Sequence, residues 1–302
     1  PDNFNVLYDK GISFNACSLN QIERFGQLYP NGQLGLRVNP GIGSGGTNKT
    51  NVGGPSSSFG IWHEYLDEAR SLIAQFRLKV FRIHTHIGSG SDPLIWQNTS
   101  QLSLKIVKAF PHVTTLNLGG GYKVARTVEE KGTDFQDIGV PIRDAFITFA
   151  NETNRKIHLE IEPGAYLLAN AGSILATVQD IVHTGTKGNS FLKLDSGMTE
   201  LIRPSLYGAQ HPLIIIPQKE TGRTMKYVVV GHCCESGDLI TPSPGSTDIL
   251  LERELSEASI GDMCVIEGVG AYCSSMCVKN YNSFPEAAGV VIRANGEIQQ
   301  IR

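Results

Sequence analysis

Val80-Phe81-Arg82-Ile83-His84-Thr85-His86-Ile87-Gly88-Ser89-Gly90 is the stretch whose reading decides the fold. Residues 80–86 read as a strand, and its two histidines, two positions apart, share one face. The strand then runs straight into glycine and serine. The same plan recurs on either side. Residues 34–38 read as a strand and are followed by Asn39-Pro40; residues 115–118 are followed by Gly119-Gly120-Gly121; residues 158–161 are followed by Glu162-Pro163-Gly164. Residues 12–16 read as a further strand. Helical periodicity fills the gaps, at 18–29 (Leu19, Ile22, Phe25 and Leu28 close in projection, with Ser18 as N-cap), 64–76, 102–110 and 142–151. Alternating strands and helices imply a parallel sheet or a (β/α) barrel. In a barrel, every polar or glycine-rich segment just named falls at the C-terminal ends of the strands, where active sites are built. Five strands are visible, against the eight that close such a barrel.

After about residue 165 the texture changes. Short β-like runs at 173–182, 191–195, 213–216, 227–230, 263–267 and 289–292 are separated by turns rich in glycine, proline and serine, with 241–247 a clear loop. A β domain over 166–302 is expected after an α/β domain over 1–165. Residues 41–58, dense in Gly, Ser, Thr and Asn, read as a long mobile loop of the kind that serves as a lid.

The composition excludes several function classes. With a net charge of −3 the chain has no basic surplus for nucleic acid. Apolar runs such as 213–217 are too short to span a bilayer. No basic-then-apolar leader opens the chain, so secretion is not expected. The six cysteines, Cys17, Cys233, Cys234, Cys264, Cys273 and Cys277, are irregularly spaced. They suit free thiols in a reducing cytoplasm, and they lack the paired C-x-x-C spacing of structural zinc, so no metal is expected.

Taken one at a time, the chemical residues are ambiguous. Three glycines after a strand let backbone amides approach a phosphate, or simply make a tight turn. His86 at a strand end can stack on a ring or act in proton transfer, or be a satisfied core histidine. Glu162, ending an apolar strand, needs a partner, either a protonated ring nitrogen or an arginine. Cys234-Glu235-Ser236-Gly237-Asp238 is too polar for a strand and is either a reactive loop or a solvated turn. Arg203, with Tyr207 close behind, offers a fork suited to a carboxylate, or a surface ion pair. Tyr272 and Tyr281 could bond a phosphate or a substrate, or merely pack. Together these residues suggest a phosphate-bearing ring cofactor and a substrate with carboxylates.

As an ordered series the motifs are more specific. Leu36-Arg37-Val38-Asn39-Pro40-Gly41, residues 84–90, Gly119-Gly120-Gly121, Glu162-Pro163-Gly164, Arg203-Pro204-Ser205-Leu206-Tyr207-Gly208, Cys234-Glu235-Ser236-Gly237-Asp238, Gly270-Ala271-Tyr272 and Asn280-Tyr281-Asn282 run along almost the whole chain. The set resembles the fold-type III pyridoxal-phosphate (PLP) decarboxylases, and most of all the diaminopimelate decarboxylases. That resemblance implies an alanine-racemase-like (β/α)₈ barrel, partial in this chain, followed by a β domain, in a homodimer. It implies pyridoxal 5'-phosphate as cofactor and a small amino acid as substrate. His86 would stack on the pyridine ring; Ser89, Gly119, Gly120, Gly121 and Tyr272 would hold the phosphate; Glu162 would pair with the ring nitrogen. Arg203 and Tyr207 would bind a substrate carboxylate. Cys234, as proton donor, and Glu235, with Asp238, at the substrate, would come from the neighbouring subunit. The Glu-Ser-Gly form of the 234–238 loop favours meso-diaminopimelate, converted to L-lysine, over ornithine, arginine or lysine. A non-catalytic PLP-binding relative is the alternative.

Three departures stand out. The family's Schiff-base lysine sits in a Tyr-Ala-x-Lys-Ala-Asn strand, and neither Lys49 nor Lys123 lies in such a context. That lysine, with about three barrel strands, is expected on a segment outside residues 1–302. Ala165 follows Glu-Pro-Gly where the family usually has arginine. The family also often continues beyond the position of Arg302.

Overall fold

The structure is a computed structural model that describes residues 4–45 and 50–302. It divides into two compact units, Pro1–Val124 with Lys131–Tyr166, and Ala125–Glu130 with Leu167–Arg302.

The first unit is an α/β unit. Strands β1 (Asn15–Ala16), β2 (Gln33–Asn39), β4 (Lys79–His84), β5 (Thr115–Asn117) and β6 (His158–Glu160) lie side by side in chain order, all parallel, and the short β3 (Ile61–Trp62) pairs with β2. Sequential parallel strands joined by helices give the succession of a (β/α) barrel. β2 is buried along almost its whole length, as a parallel strand covered on both faces must be. Helices α1 (Phe4–Asp9), α2 (Leu19–Leu28), α3 (Leu66–Gln75), α4 (Pro93–Lys108) and α5 (Phe135–Thr153) complete the unit. Ser18 caps α2, its hydroxyl accepting from Gln21 N at 3.2 Å. Ile22 and Phe25 of α2 join Leu34, Leu36, Ile83, Trp96, Leu116 and Leu118 in one core.

Helices α4 and α5 are longer than their periodicity predicts. Asp92 caps α4 with Pro93 in its first turn, and the helix then crosses the polar run Gln97-Asn98-Thr99-Ser100-Gln101. Thr99, Ser100 and Ser103 are fully buried there because each hydroxyl donates to a carbonyl of its own helix. In α5, capped by Asp134, the helix passes through Pro141.

Segment 41–58 does not hang free where it is described. Asn39 is buried, its side chain donating to Gly54 O and accepting from Gly54 N, both at 2.9 Å. Ser44 N donates to Ile87 O at 2.7 Å, and Ser89 N to Ser44 O at 3.2 Å. The expected mobile loop is therefore stitched to the segment after β4 on one side of residues 46–49 and to the end of β2 on the other; residues 46–49, Lys49 among them, lie outside the described residues.

After α6 (Gly164–Leu168), the second unit is a mainly antiparallel sheet in the order β11-β10-β8-β7-β12-β9. Its strands are β7 (Ser173–His183), β8 (Ser190–Leu194), β9 (Leu213–Ile216), β10 (Thr224–Val230), β11 (Arg253–Ser256) and β12 (Met263–Glu267), with only β8 and β10 parallel. The two edge strands, β9 and β11, run near one another. A five-residue helix α7 (Arg203–Tyr207) and an exposed hairpin of β13 (Val290–Ile292) and β14 (Ile298–Gln300) complete it. β11 and β14 are not apparent from periodicity, being short and largely polar. No described helix is long and apolar enough to cross a membrane.

Candidate active site

In the first unit the residues at the ends of β4, β5 and β6 converge. Asn117, the last residue of β5, organises them. Its side-chain oxygen accepts from Gly119 N at 2.7 Å, and its amide donates to Glu162 Oε1 at 2.9 Å and Glu160 Oε2 at 3.2 Å. Glu162 stands half-exposed, with His84 Nε2 at 3.8 Å from Oε1. The arginine partner that a strand-end carboxylate could have is taken: Arg82 pairs with Glu160 at 3.0 Å.

The three glycines are forced by crowding. A Cβ on Gly119 would stand 2.6 Å from His86 Nδ1, one on Gly120 2.3 Å from Glu162 O, and one on Gly121 1.6 Å from Gly88 O. Gly119 and Gly121 also have φ of +73° and +93°. The three strand ends are thus drawn together with no space for side chains, and Gly90 N donates to Gly121 O at 3.0 Å. Ser89 lies in this turn, beside Ser44. Tyr122 stacks on Trp96, ring centroids 4.4 Å apart. Burial, and then the Glu162 charge, push its phenol pKa up.

His84 Nε2 and His86 Nδ1 are buried with no hydrogen-bond partner. Burial first, then the Arg37 charge, hold both imidazoles down to about 4, so both are neutral near neutral pH. His211, in the second unit, is likewise held down to about 4, chiefly by burial. An imidazole whose folded pKa is depressed stabilises the fold above its unfolded value, and that contribution is lost as pH falls through the window down to the folded value. These three histidines therefore predict a melting temperature that falls as the pH drops from the ordinary 6.5 toward about 4. Replacing His84 by glutamine should flatten that fall between about pH 6.5 and about pH 4, as measured by thermal melts; an equally steep fall would discount the histidine.

The remaining expected residues lie in the second unit. Arg203 opens α7, its guanidinium 6.0 Å from the Tyr207 ring centroid, with Nε buried and unpartnered. Cys234 and Glu235 are exposed, and their loop is tied to residues 281–282: Cys234 N donates to Asn282 Oδ1 at 2.9 Å, and Tyr281 OH lies 3.4 Å from Glu235 Oε2. Tyr281 thus touches this loop. Tyr272 is exposed, with φ of +59°.

Asp238, expected at the substrate, is turned inward instead. It is 3% exposed, and its carboxylate accepts from Met198 N at 2.7 Å and Cys233 N at 2.9 Å. Gly197 and Gly231 face it at a distance no Cβ would permit. Its charge is spent on backbone amides that hold the 234–238 loop in shape, which is a positioning task. The loop is also not a simple solvated turn. Burial, with Asp238 adding to it, pushes the Cys233 thiol up to about 12, whereas its neighbour Cys234 faces solvent. All six cysteines are free.

Sequence reading missed Asn117, Arg126 and His211. For Asn117 a signal exists: it is an amide between Leu116 and Leu118 at the end of a buried strand, which must have a partner.

Residues 3–169 match the family described as "Pyridoxal-dependent decarboxylase, pyridoxal binding domain". The chain belongs to this family. Among curated relatives, the diaminopimelate decarboxylase of Buchnera aphidicola subsp. Schizaphis graminum is 32% identical over 299 residues, covering 97% of this chain and 70% of the relative. That of Escherichia coli K12 is 33% identical over 296 residues, covering 96% of this chain and 69% of the relative. A crystal structure of diaminopimelate decarboxylase superposes with a TM-score of 0.90 at 32% identity, covering 100% of this chain and 72% of the other.

Proposed function

We propose that this chain carries the cofactor-holding and substrate-binding residues of a decarboxylase that converts meso-2,6-diaminopimelate to L-lysine with pyridoxal 5'-phosphate. The observation that carries the reading is the set Glu162–Asn117–His84 at the ends of parallel strands in a family member. A carboxylate is fixed there by an amide, free of any arginine, beside two neutral imidazoles.

The residues fit the cofactor. His86 offers a partly buried imidazole whose buried Nδ1 has no protein partner, and the Gly119–Gly121 turn brings bare backbone where any Cβ would collide. When bound, the pyridine ring would take up the electron pair left at Cα as CO₂ departs. Glu162 would hold the ring nitrogen protonated, and Asn117 would keep Glu162 aimed. His86 would lie on the ring, with Ser89, the glycine turn and Tyr272 at the phosphate. Arg203 and Tyr207 would bind a substrate carboxylate. Cys234 would deliver the proton to Cα, and Glu235 would read the far end of the substrate, both serving the partner subunit of a homodimer. Free thiols fit a cytoplasmic enzyme.

The test is CO₂ release by the full-length protein with PLP, offered meso-diaminopimelate, ornithine, arginine and lysine separately. L-Lysine formed from meso-diaminopimelate, in preference to turnover of the other three, is the expected result. No release, or a preference for another amino acid, overturns the reading.

A further inference from the structure

The carbonyls of Glu267, the last residue of β12, and of Gly268 just after it each hold a basic side chain. His211 Nδ1 donates to Glu267 O at 2.9 Å, and Arg126 Nε donates to Gly268 O at 2.9 Å. A Cβ on Gly268, where φ is +70°, would press on Arg126 Cγ and Cδ at 3.0 Å, so the glycine leaves the arginine its path. Arg203 brings a second guanidinium within electrostatic reach of both Arg126 and His211. Its Nε is buried without a hydrogen-bond partner, as is His211 Nε2. All these residues belong to the second unit.

What the cluster lacks, among the described residues, is a carboxylate in an ion pair with either guanidinium. Among the described residues Arg82, Arg143 and Arg223 each pair with a carboxylate, whereas neither Arg126 nor Arg203 is in an ion pair. Glu130, whose charge favours Arg126, spends its Oε2 on the Arg126 backbone N–H at 2.8 Å. Burial first, then the Arg203 charge, bring the Arg126 pKa down to about 10, so the two guanidiniums do repel. His211 stays neutral and adds position without charge. Two partly buried, unpaired cations that repel one another are costly to keep, and a shared carboxylate removes that cost. The planar guanidinium fork suits a carboxylate in two-point geometry.

We propose that Arg126 joins Arg203 in a two-guanidinium clamp for the carboxylate that the substrate keeps, and that Arg126 thereby selects a dicarboxylic amino acid. The proposal rests on the diaminopimelate reading above and deepens it. Ala165 supplies no cation after Glu-Pro-Gly, and Arg126 offers one from a different segment. An amino acid whose only carboxylate is the one lost as CO₂ would gain nothing from the clamp.

The experiment compares wild type with Arg126→Gln and Arg126→Lys in the full-length protein. Calorimetry measures binding of pimelate, a C7 dicarboxylate without amino groups, with inorganic phosphate as the competing probe. Kinetics measure KM and kcat for meso-diaminopimelate and inhibition by L-lysine. In Arg126→Gln, pimelate affinity should fall and KM rise by about 10- to 100-fold, the scale of losing a charged hydrogen bond. Inhibition by L-lysine should weaken in parallel, while kcat changes little. Arg126→Lys, which keeps the charge and loses the fork, should lie between. If Arg126→Gln does not fold, the test passes to Arg126→Ala, where added guanidinium ion must restore pimelate binding. Unchanged pimelate affinity and KM, a loss confined to phosphate, or no restoration by guanidinium overturns the clamp. A wild type that binds pimelate through Arg126 yet releases no CO₂ from meso-diaminopimelate overturns the enzyme reading and leaves the clamp standing.

Discussion

Glu162→Gln lowers kcat for CO₂ release from meso-diaminopimelate by about 100-fold or more, the scale of removing a positioned electrostatic or proton-holding group. The substitution keeps the shape and keeps an oxygen for the Asn117 amide, which now donates to Glu162 Oε1 at 2.9 Å. The variant should therefore melt within a few degrees of wild type. What it loses is the negative charge. A neutral amide cannot hold a ring nitrogen protonated, so the electron pair released on decarboxylation has a poorer acceptor. His84, 3.8 Å from the carboxylate, is neutral and cannot take over the role. Asn117→Ala is the companion: Glu162 keeps its charge but loses its aim, and Gly119 N loses its 2.7 Å acceptor, so a smaller fall in rate with a lower melting temperature is expected. Glu162→Gln with wild-type kcat would remove Glu162 from the proposed machinery.

Gly121→Ala abolishes or gravely weakens folding of the α/β unit. The new methyl would sit 1.6 Å from Gly88 O, in a backbone conformation of φ +93° that L side chains rarely adopt. The carbonyl cannot step aside cheaply, because the strand ends here are joined through Gly90 N to Gly121 O and through Ser44 to Ile87 and Ser89. Strain and overlap together cost about 3 kcal/mol or more. Gly185→Ala is the control. Its φ is +91°, but nothing lies within 4 Å of the added Cβ, so it should cost only the backbone term of about 1 kcal/mol. Denaturant midpoints of the two variants separate these contributions. Equal losses would mean that the close approach of the strand ends does not govern stability.

Much of the fold is local and therefore legible. A strand signals itself by a few apolar residues, and a helix by period and cap, as at Ser18. The α/β succession and the change to a β unit follow from such signals. The ends of α4 and α5 do not. Polar α4 residues become helix interior only because their hydroxyls bond back to the helix while the core covers them. Pro141 removes one donor from a helix whose apolar face, Ile138, Ile142 and Phe149, is already buried. A break there would expose that face.

The candidate site divides in the same way. The histidines, the triple glycine and Glu162 are visible because each directly follows a strand, and parallel strands put those positions at one end of a sheet. Hydrogen bonding then assigns the tasks. Asp238 looks like a substrate residue in a polar five-residue loop, yet the amides of Met198 and Cys233 claim its carboxylate and bury it. Arg126 sits in an unremarkable run after the glycines and gains meaning only beside Arg203 and His211. What the sequence alone determines is the order of strands and the chemistry at their ends, because short-range pattern sets both. Which charges are paired and which are left for a ligand depends on groups distant in the chain meeting at the end of β12 or β5, and only the tertiary structure decides that.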